Sequence, residues 1–176
     1  MAVMKIYTFP DKVLKQVAEP VTTFDTSLRE LAESMLETMY ESEGIGLAAN
    51  QVGILQRIIV IDINSGNEDT STREPYVLIN PVIEEKSGDI TYEEGCLSVV
   101  EYRAEVPRFR QIKVAYQDLE GKPQTMNADE LKAVCLQHEL DHLDGILFID
   151  HLPLLKQKMV KKHLKKQARL AEEASA

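Results

Sequence analysis

The sequence predicts an α+β fold: mainly antiparallel β-sheets wrapped around a central buried helix, with a further helix at the C-terminus. Three observations carry this. The elements run helix, strands, helix, helix, without the strand–helix alternation of a parallel sheet. The middle of the chain is rich in β-branched runs. The segment from Leu131 to Leu143 is apolar on nearly every face, with Lys132, Gln137 and Asp141 as a narrow polar stripe. A helix so rarely polar belongs in the interior.

The first helix is expected from Ser27 to Ser42. Leu28, Leu31, Ala32, Met35, Leu36 and Met39 recur at three- and four-residue spacing, and Ser27 with Glu30 forms a capping box. Gly44 closes this helix and opens the glycine-rich segment 44–53, GIGLAANQVG. Strands are expected at 57–63 and 76–84, around a polar loop from Asn64 to Glu74, then near 89–99, near 103–106 and at 111–118. The turn Glu120-Gly121-Lys122-Pro123 leads into another short strand. The central helix is expected to start at Asn127, with Glu130 as capping partner, and to stop at Gly145. A last helix spans about Leu154 to Leu170.

A chain of 176 residues suits one domain, large enough to bury about two-thirds of the surface its unfolded form exposes. That domain is 1–176, with 154–176 as a basic C-terminal helix and tail. No apolar run reaches the ~20 residues of a membrane span. The N-terminus has no basic segment followed by an apolar stretch, so the expected location is cytoplasmic. There Cys96 and Cys135 are expected as free thiols. The net charge of −9 argues against sequence-specific nucleic-acid binding, but residues 153–170 alone carry +7, leaving −16 elsewhere. This segregation points to a tail with a partner of its own.

The chemistry centres on QHELDH at 137–142. His138 and His142 lie four apart, so a helix puts them on one face, about a turn from each other. Two imidazoles so placed reach one divalent metal, and Glu139 faces the open coordination position as a proton acceptor. A third protein ligand is needed. The metzincin position for a third His holds Phe148, with His151 three residues too late; the thermolysin-type downstream Glu is replaced by Lys161, Lys162 and His163. Cys135 shares the helical face but lies about 10 Å along the axis from His142, at ~1.5 Å per residue, and reads as a small apolar filler. Cys96, in EEGCLS, follows a glycine that lets the backbone turn, and is the better third ligand.

Three segments in order, GIGLAANQVG (44–53), EGCLS (94–98) and QHELDH (137–142), closely resemble the bacterial peptide deformylases, and the likeness covers essentially the whole chain. It implies a hydrolase that removes the N-formyl group from the initiator methionine of nascent polypeptides and releases formate. Cys96, His138 and His142 would hold one divalent metal, with Glu139 as general acid and base. Gln51 and the backbone N–H of Leu97 would bind the formyl oxygen. The resemblance places Ile45, Gly46, Tyr92, Glu94, Leu131, Val134 and Cys135 around the methionine pocket, and Arg103 where the rest of the peptide is oriented. It implies Fe(II) in cells, with zinc or nickel in purified samples, and a basic C-terminal helix that docks on the ribosome. Many members have proline where this chain has Val100, followed by Glu101 and Tyr102. Two other readings compete: an H-E-x-x-H metallopeptidase, and a ribosome-associated module with a structural metal.

Overall fold

The computed structural model describes residues 2–175. Its helices are α1 (Thr26–Glu41), α2 (Glu130–Leu143) and α3 (Leu154–Ser175). Its strands are β1 (Gly46–Ala48), β2 (Ile58–Ile61), β3 (Tyr76–Ser87), β4 (Ile90–Cys96), β5 (Val99–Arg108), β6 (Gln111–Gln117) and β7 (Pro123–Asp129). One antiparallel sheet has the order β1-β2-β3-β6-β7; β4 and β5 form a separate hairpin between β3 and β6 in sequence. This is the α+β arrangement the element order predicts.

β2 explains how the layers stack. All four of its residues are buried, and the two-residue period of a strand divides them. Ile59 and Ile61 face the core formed with Ala133, Leu136, Leu140 and Leu143 of α2. Ile58 and Val60 face the core formed with Leu28, Met35 and Met39 of α1. The five-stranded sheet therefore lies between α1 and α2. A third cluster joins Val99, Ala104 and Val106 of β5 to Phe148, Leu152, Val160 and Leu164, anchoring α3 beside the hairpin. α2 is enclosed accordingly, with ten of its fourteen residues buried.

Several boundaries differ from expectation. α1 is capped by Asp25, whose carboxylate accepts from Leu28 N–H at 3.0 Å, not by Ser27. At its other end Glu43, not Gly44, takes the left-handed conformation (φ 59°), and Gly44 N–H closes back onto Met39 O. α2 starts at Glu130, because Asn127 is held in the sheet opposite Lys113. The sharp corner is taken at Glu130 itself (φ 51°), whose N–H donates to Arg110 O. Gly145 (φ 75°) ends α2 as predicted.

β2 stops at Ile61 because Asp62 turns the chain, its buried carboxylate accepting from Tyr40 Oη, Asn64 N and Glu74 N. β3 runs beyond 84 to Ser87 with a bulge near Asn80 (φ 53°). β7 is a full seven-residue strand, and α3 continues past Leu170 to Ser175. The short strand β1 inside the glycine-rich segment has no counterpart among the expected elements.

Candidate active site

α2 presents His138 and His142 on one face, and the β4–β5 hairpin brings Cys96 to them. Cys96 is the last residue of β4, just before the turn at Leu97 and Ser98, where the register slips between Gly95 and Cys96. Cys96 Sγ lies 3.4 Å from His142 Nε2, which lies 3.2 Å from His138 Nε2. The three potential ligand atoms all fall within 4.8 Å of one another.

Hydrogen bonding fixes which nitrogen of His138 faces the cluster. His138 Nδ1 is 2.8 Å from Glu94 Oε1. An ionised carboxylate only accepts, so Nδ1 donates to Glu94, and Nε2 is the nitrogen that faces His142 and Cys96. Burial pulls His138 down, but its bonds to Cys96 and Glu94 outweigh this and hold it well above its ordinary value. Burial, with positive charge at His138 and Arg108, holds His142 well below. One thiolate and two imidazoles form a donor set that suits a divalent transition metal, so the residues fit such an ion.

Glu139 is 96% buried, since only 4% of it is exposed. Its Oε1 is 3.9 Å from His138 Nε2, and its Oε2 has no hydrogen-bond partner among the described residues. Burial pushes its carboxyl up to about 7, against the opposing charge of His138. A carboxyl so poised both accepts and donates protons near neutrality.

Gln51 is buried in the turn after β1. Its Oε1 accepts from Ala48 N at 2.9 Å, which aims its amide nitrogen at Ser98 Oγ (3.0 Å) and Cys96 Sγ (3.6 Å). Leu97 lies in the hairpin turn next to Cys96.

A cleft of about 560 Å³ opens beside this cluster. Ile45 and Gly46 line it beside Leu131, Val134 and Cys135 of α2; Tyr92, Glu94 and Arg103 come from the hairpin. Burial, reinforced by Glu139 and Glu94, pushes the Cys135 thiol well up, keeping it protonated, and it points at Ile45 O. It lines the cleft as a neutral group. Glu94 also borders the cleft, but its carboxylate is engaged by Arg108 (2.7 and 2.8 Å) and by His138. Its geometry suits holding His138 more than touching a substrate. Arg103 is exposed at the rim, with Nη2 donating to Glu93 O.

Sequence reasoning missed Ser98, Arg108 and the partners of Asp141. Gln137 and Asp141, expected on a polar stripe, are engaged by the protein: buried Gln137 bridges Phe109 N and O, and half-buried Asp141 binds Arg108 and His151. The position of Arg108 at the end of β5, near α2 in space but not in sequence, gave no motif signal.

The sequence model described as polypeptide deformylase matches residues 3–158. The chain is similar to the peptide deformylase of Brucella suis, 51% identical over 169 residues that cover 96% of this chain and 95% of the relative. It is 49% identical over 170 residues to that of Bartonella tribocorum, with the same coverage of 96% and 95%. Among solved structures, the peptide deformylase of Legionella pneumophila superposes with a TM-score of 0.87 at 42% identity, covering 97% of this chain and 98% of that one. That of Ehrlichia chaffeensis gives 0.88 at 38% identity, covering 97% and 99%.

Proposed function

Because the chain belongs to the polypeptide deformylase family, we propose that it hydrolyses the formyl amide of the N-formylmethionine that begins a nascent polypeptide, and does so with the residues converging on α2. The observation that carries this reading is the Cys96, His138 and His142 cluster beside a cleft that Glu139 also lines.

Cys96, His138 and His142 would hold one divalent metal. Fe(II) is the metal this reading assigns in cells, and zinc or nickel suits the same thiolate and imidazole donors in purified protein. When bound, the metal acts as a Lewis acid, making hydroxide available near neutral pH and polarising the formyl carbonyl. Glu139 accepts the proton that attacking water loses and delivers it to the nitrogen of methionine as the C–N bond breaks. The products are formate and a free amino group. The amide nitrogen of Gln51 and the N–H of Leu97 bind the formyl oxygen as charge builds on it, each such donor being worth about 3 kcal/mol.

The methionine side chain occupies the apolar part of the cleft between Ile45, Leu131, Val134 and Cys135, with Tyr92 at the edge. β1 is the outermost strand of its sheet, so its free edge at Gly46 is open to a peptide added in strand fashion. Arg103 stands at the rim where residues beyond methionine lie.

The whole chain, 1–176, acts on this reading as one catalytic domain. Residues 154–176 serve as a docking helix and tail, with Lys158, Lys162, Lys165, Lys166 and Arg169 along one groove of α3 offered to polyanionic ribosomal RNA. No helix among the described residues is long and apolar enough to cross a membrane; a cytoplasmic location fits work on nascent chains. Neither competing reading gains support. A metallopeptidase of either type considered lacks its third ligand, and a structural metal site would be closed by four protein ligands.

The direct test is anaerobic assay of the Fe(II)-loaded protein on a formyl-methionyl tripeptide and on its unformylated counterpart. Formate release from the first, with no cleavage of the second, is expected. Cleavage of internal peptide bonds would favour the peptidase reading.

A further inference from the structure

The turn Phe148–His151 reaches His138 by two routes. Phe148, almost fully buried, stacks its ring against the His138 imidazole at 6.0 Å between centroids and 25° between planes. The second route runs through polar groups. His151 Nε2–H donates to Asp141 Oδ2 at 2.7 Å, and the same oxygen accepts from Arg108 Nη1 at 2.7 Å. Arg108 turns its remaining nitrogens, Nε and Nη2, to the two oxygens of Glu94, and Glu94 Oε1 accepts from His138 Nδ1 at 2.8 Å. Glu94 and Arg108 are buried and Asp141 is half-buried, while the His151 side chain is 37% exposed.

We propose that His151 is a positioning residue for the metal centre, acting through Asp141, Arg108 and Glu94 on the orientation of His138. The inference rests on His138 being a ligand. The chain of contacts has little freedom. A guanidinium is a rigid planar fork, so fixing Nη1 on Asp141 fixes the direction in which the Nε and Nη2 edge meets Glu94. Glu94 in turn selects the His138 tautomer that leaves Nε2 free to bind, and partners of this kind set both ligand geometry and metal affinity. Without His151, Asp141 keeps only Arg108 and is free to rotate toward solvent, and Arg108 then loses a fixed anchor on one side. The same turn holds α3: Gln157 donates to Asp150 O and Leu152 O, and Lys161 pairs with Asp150. The outer end of the relay thus stands on the segment that ties the C-terminal helix to the body.

Co(II) is the probe, because its visible spectrum reports ligand geometry directly. Apo-protein is titrated anaerobically with Co(II) for the wild type, His151→Ala and His151→Gln. His151→Ala is expected to weaken Co(II) binding about tenfold, the low end of the range of about 10–100-fold for partners outside the ligand sphere, and to shift the d–d bands. His151→Gln keeps a donor for Asp141 and is expected to restore both. If His151→Ala matches the wild type in affinity and spectrum, the proposal is overturned, even if its melting temperature falls, because that pattern describes a merely structural residue. If the wild type itself shows no thiolate-to-Co(II) band, the ligand triad fails and the relay falls with it.

Discussion

Gly46 faces Glu139 so closely that a Cβ built on the glycine would lie 2.9 Å from both Cγ and Oε1 of that glutamate, and 3.0 Å from Cys135 Sγ. Besides lying on the free edge of β1, this glycine makes room for the Glu139 carboxylate. Gly46→Ala is therefore expected to displace Glu139 by a fraction of an ångström up to an ångström. A shift of that size near the chemistry costs about 10²-fold in rate. Formate release should fall on that scale while metal content, read by elemental analysis, stays at the wild-type level.

Gln51 is held at both ends, with its oxygen on Ala48 N and its nitrogen turned toward Ser98 and Cys96. Gln51→Leu keeps the bulk and removes the donor. Loss of one oxyanion donor costs about 10²–10³ in kcat, so kcat is expected to drop by that factor with KM little changed. A KM rise at constant kcat would instead make Gln51 a ground-state binding group.

Glu94 of β4 and Arg108 of β5 form a buried ion pair within the hairpin, and each also reaches α2, Glu94 at His138 and Arg108 at Asp141. Burial alone would raise the Glu94 carboxyl, but hydrogen bonds from Arg108 and His138 outweigh it and hold it below its ordinary value of 4.5. A carboxyl depressed in the folded state adds stability that is fully present above its unfolded pKa and is lost as pH falls through the folded one. Melting temperature should therefore be insensitive to Glu94 ionisation above about pH 5 and decline below about pH 4. Glu94→Gln should flatten that decline and cost roughly 3–5 kcal/mol at neutral pH, because it strands a buried guanidinium. Thermal melts of both proteins from pH 3 to 7 read this out.

Much of this was legible in the sequence because it is local. The spacing of His138 and His142, the enclosure of α2 and the turn around Cys96 are all set within a few residues of chain. Boundaries were less legible where a local signal competed with a distant one. Asn127 and Glu130 read as a helix cap, yet pairing of Asn127 with Lys113 keeps the chain in the sheet until Asp129. β1 has only three residues and no periodicity of its own; its pairing with Ile59, Val60 and Ile61 creates it. Arg108, Ser98 and His151 were illegible as site residues, since their partners are brought to them only by the fold.

The α3 reading makes its own prediction. Lys162, Lys165 and Lys166 project from a helix whose buried residues are Val160 and Leu164. Changing these three lysines to glutamine leaves the packed face intact. Co-sedimentation with ribosomes is expected to weaken and to lose much of its salt dependence, since each phosphate contact removed lowers the slope by about 0.7–0.9. Hydrolysis of free formyl peptides should be unaffected.

The measurement that tests the central claim most directly is formate release by Glu139→Gln, with metal content determined on the same sample. The substitution keeps the side-chain shape and removes the proton acceptor. With metal bound as in the wild type, turnover of a formyl-methionyl peptide is expected to fall by about 10²–10⁴-fold, the worth of a positioned acid–base group. Near wild-type turnover by a fully metal-loaded Glu139→Gln protein would contradict the assignment of Glu139 as the group that moves the proton.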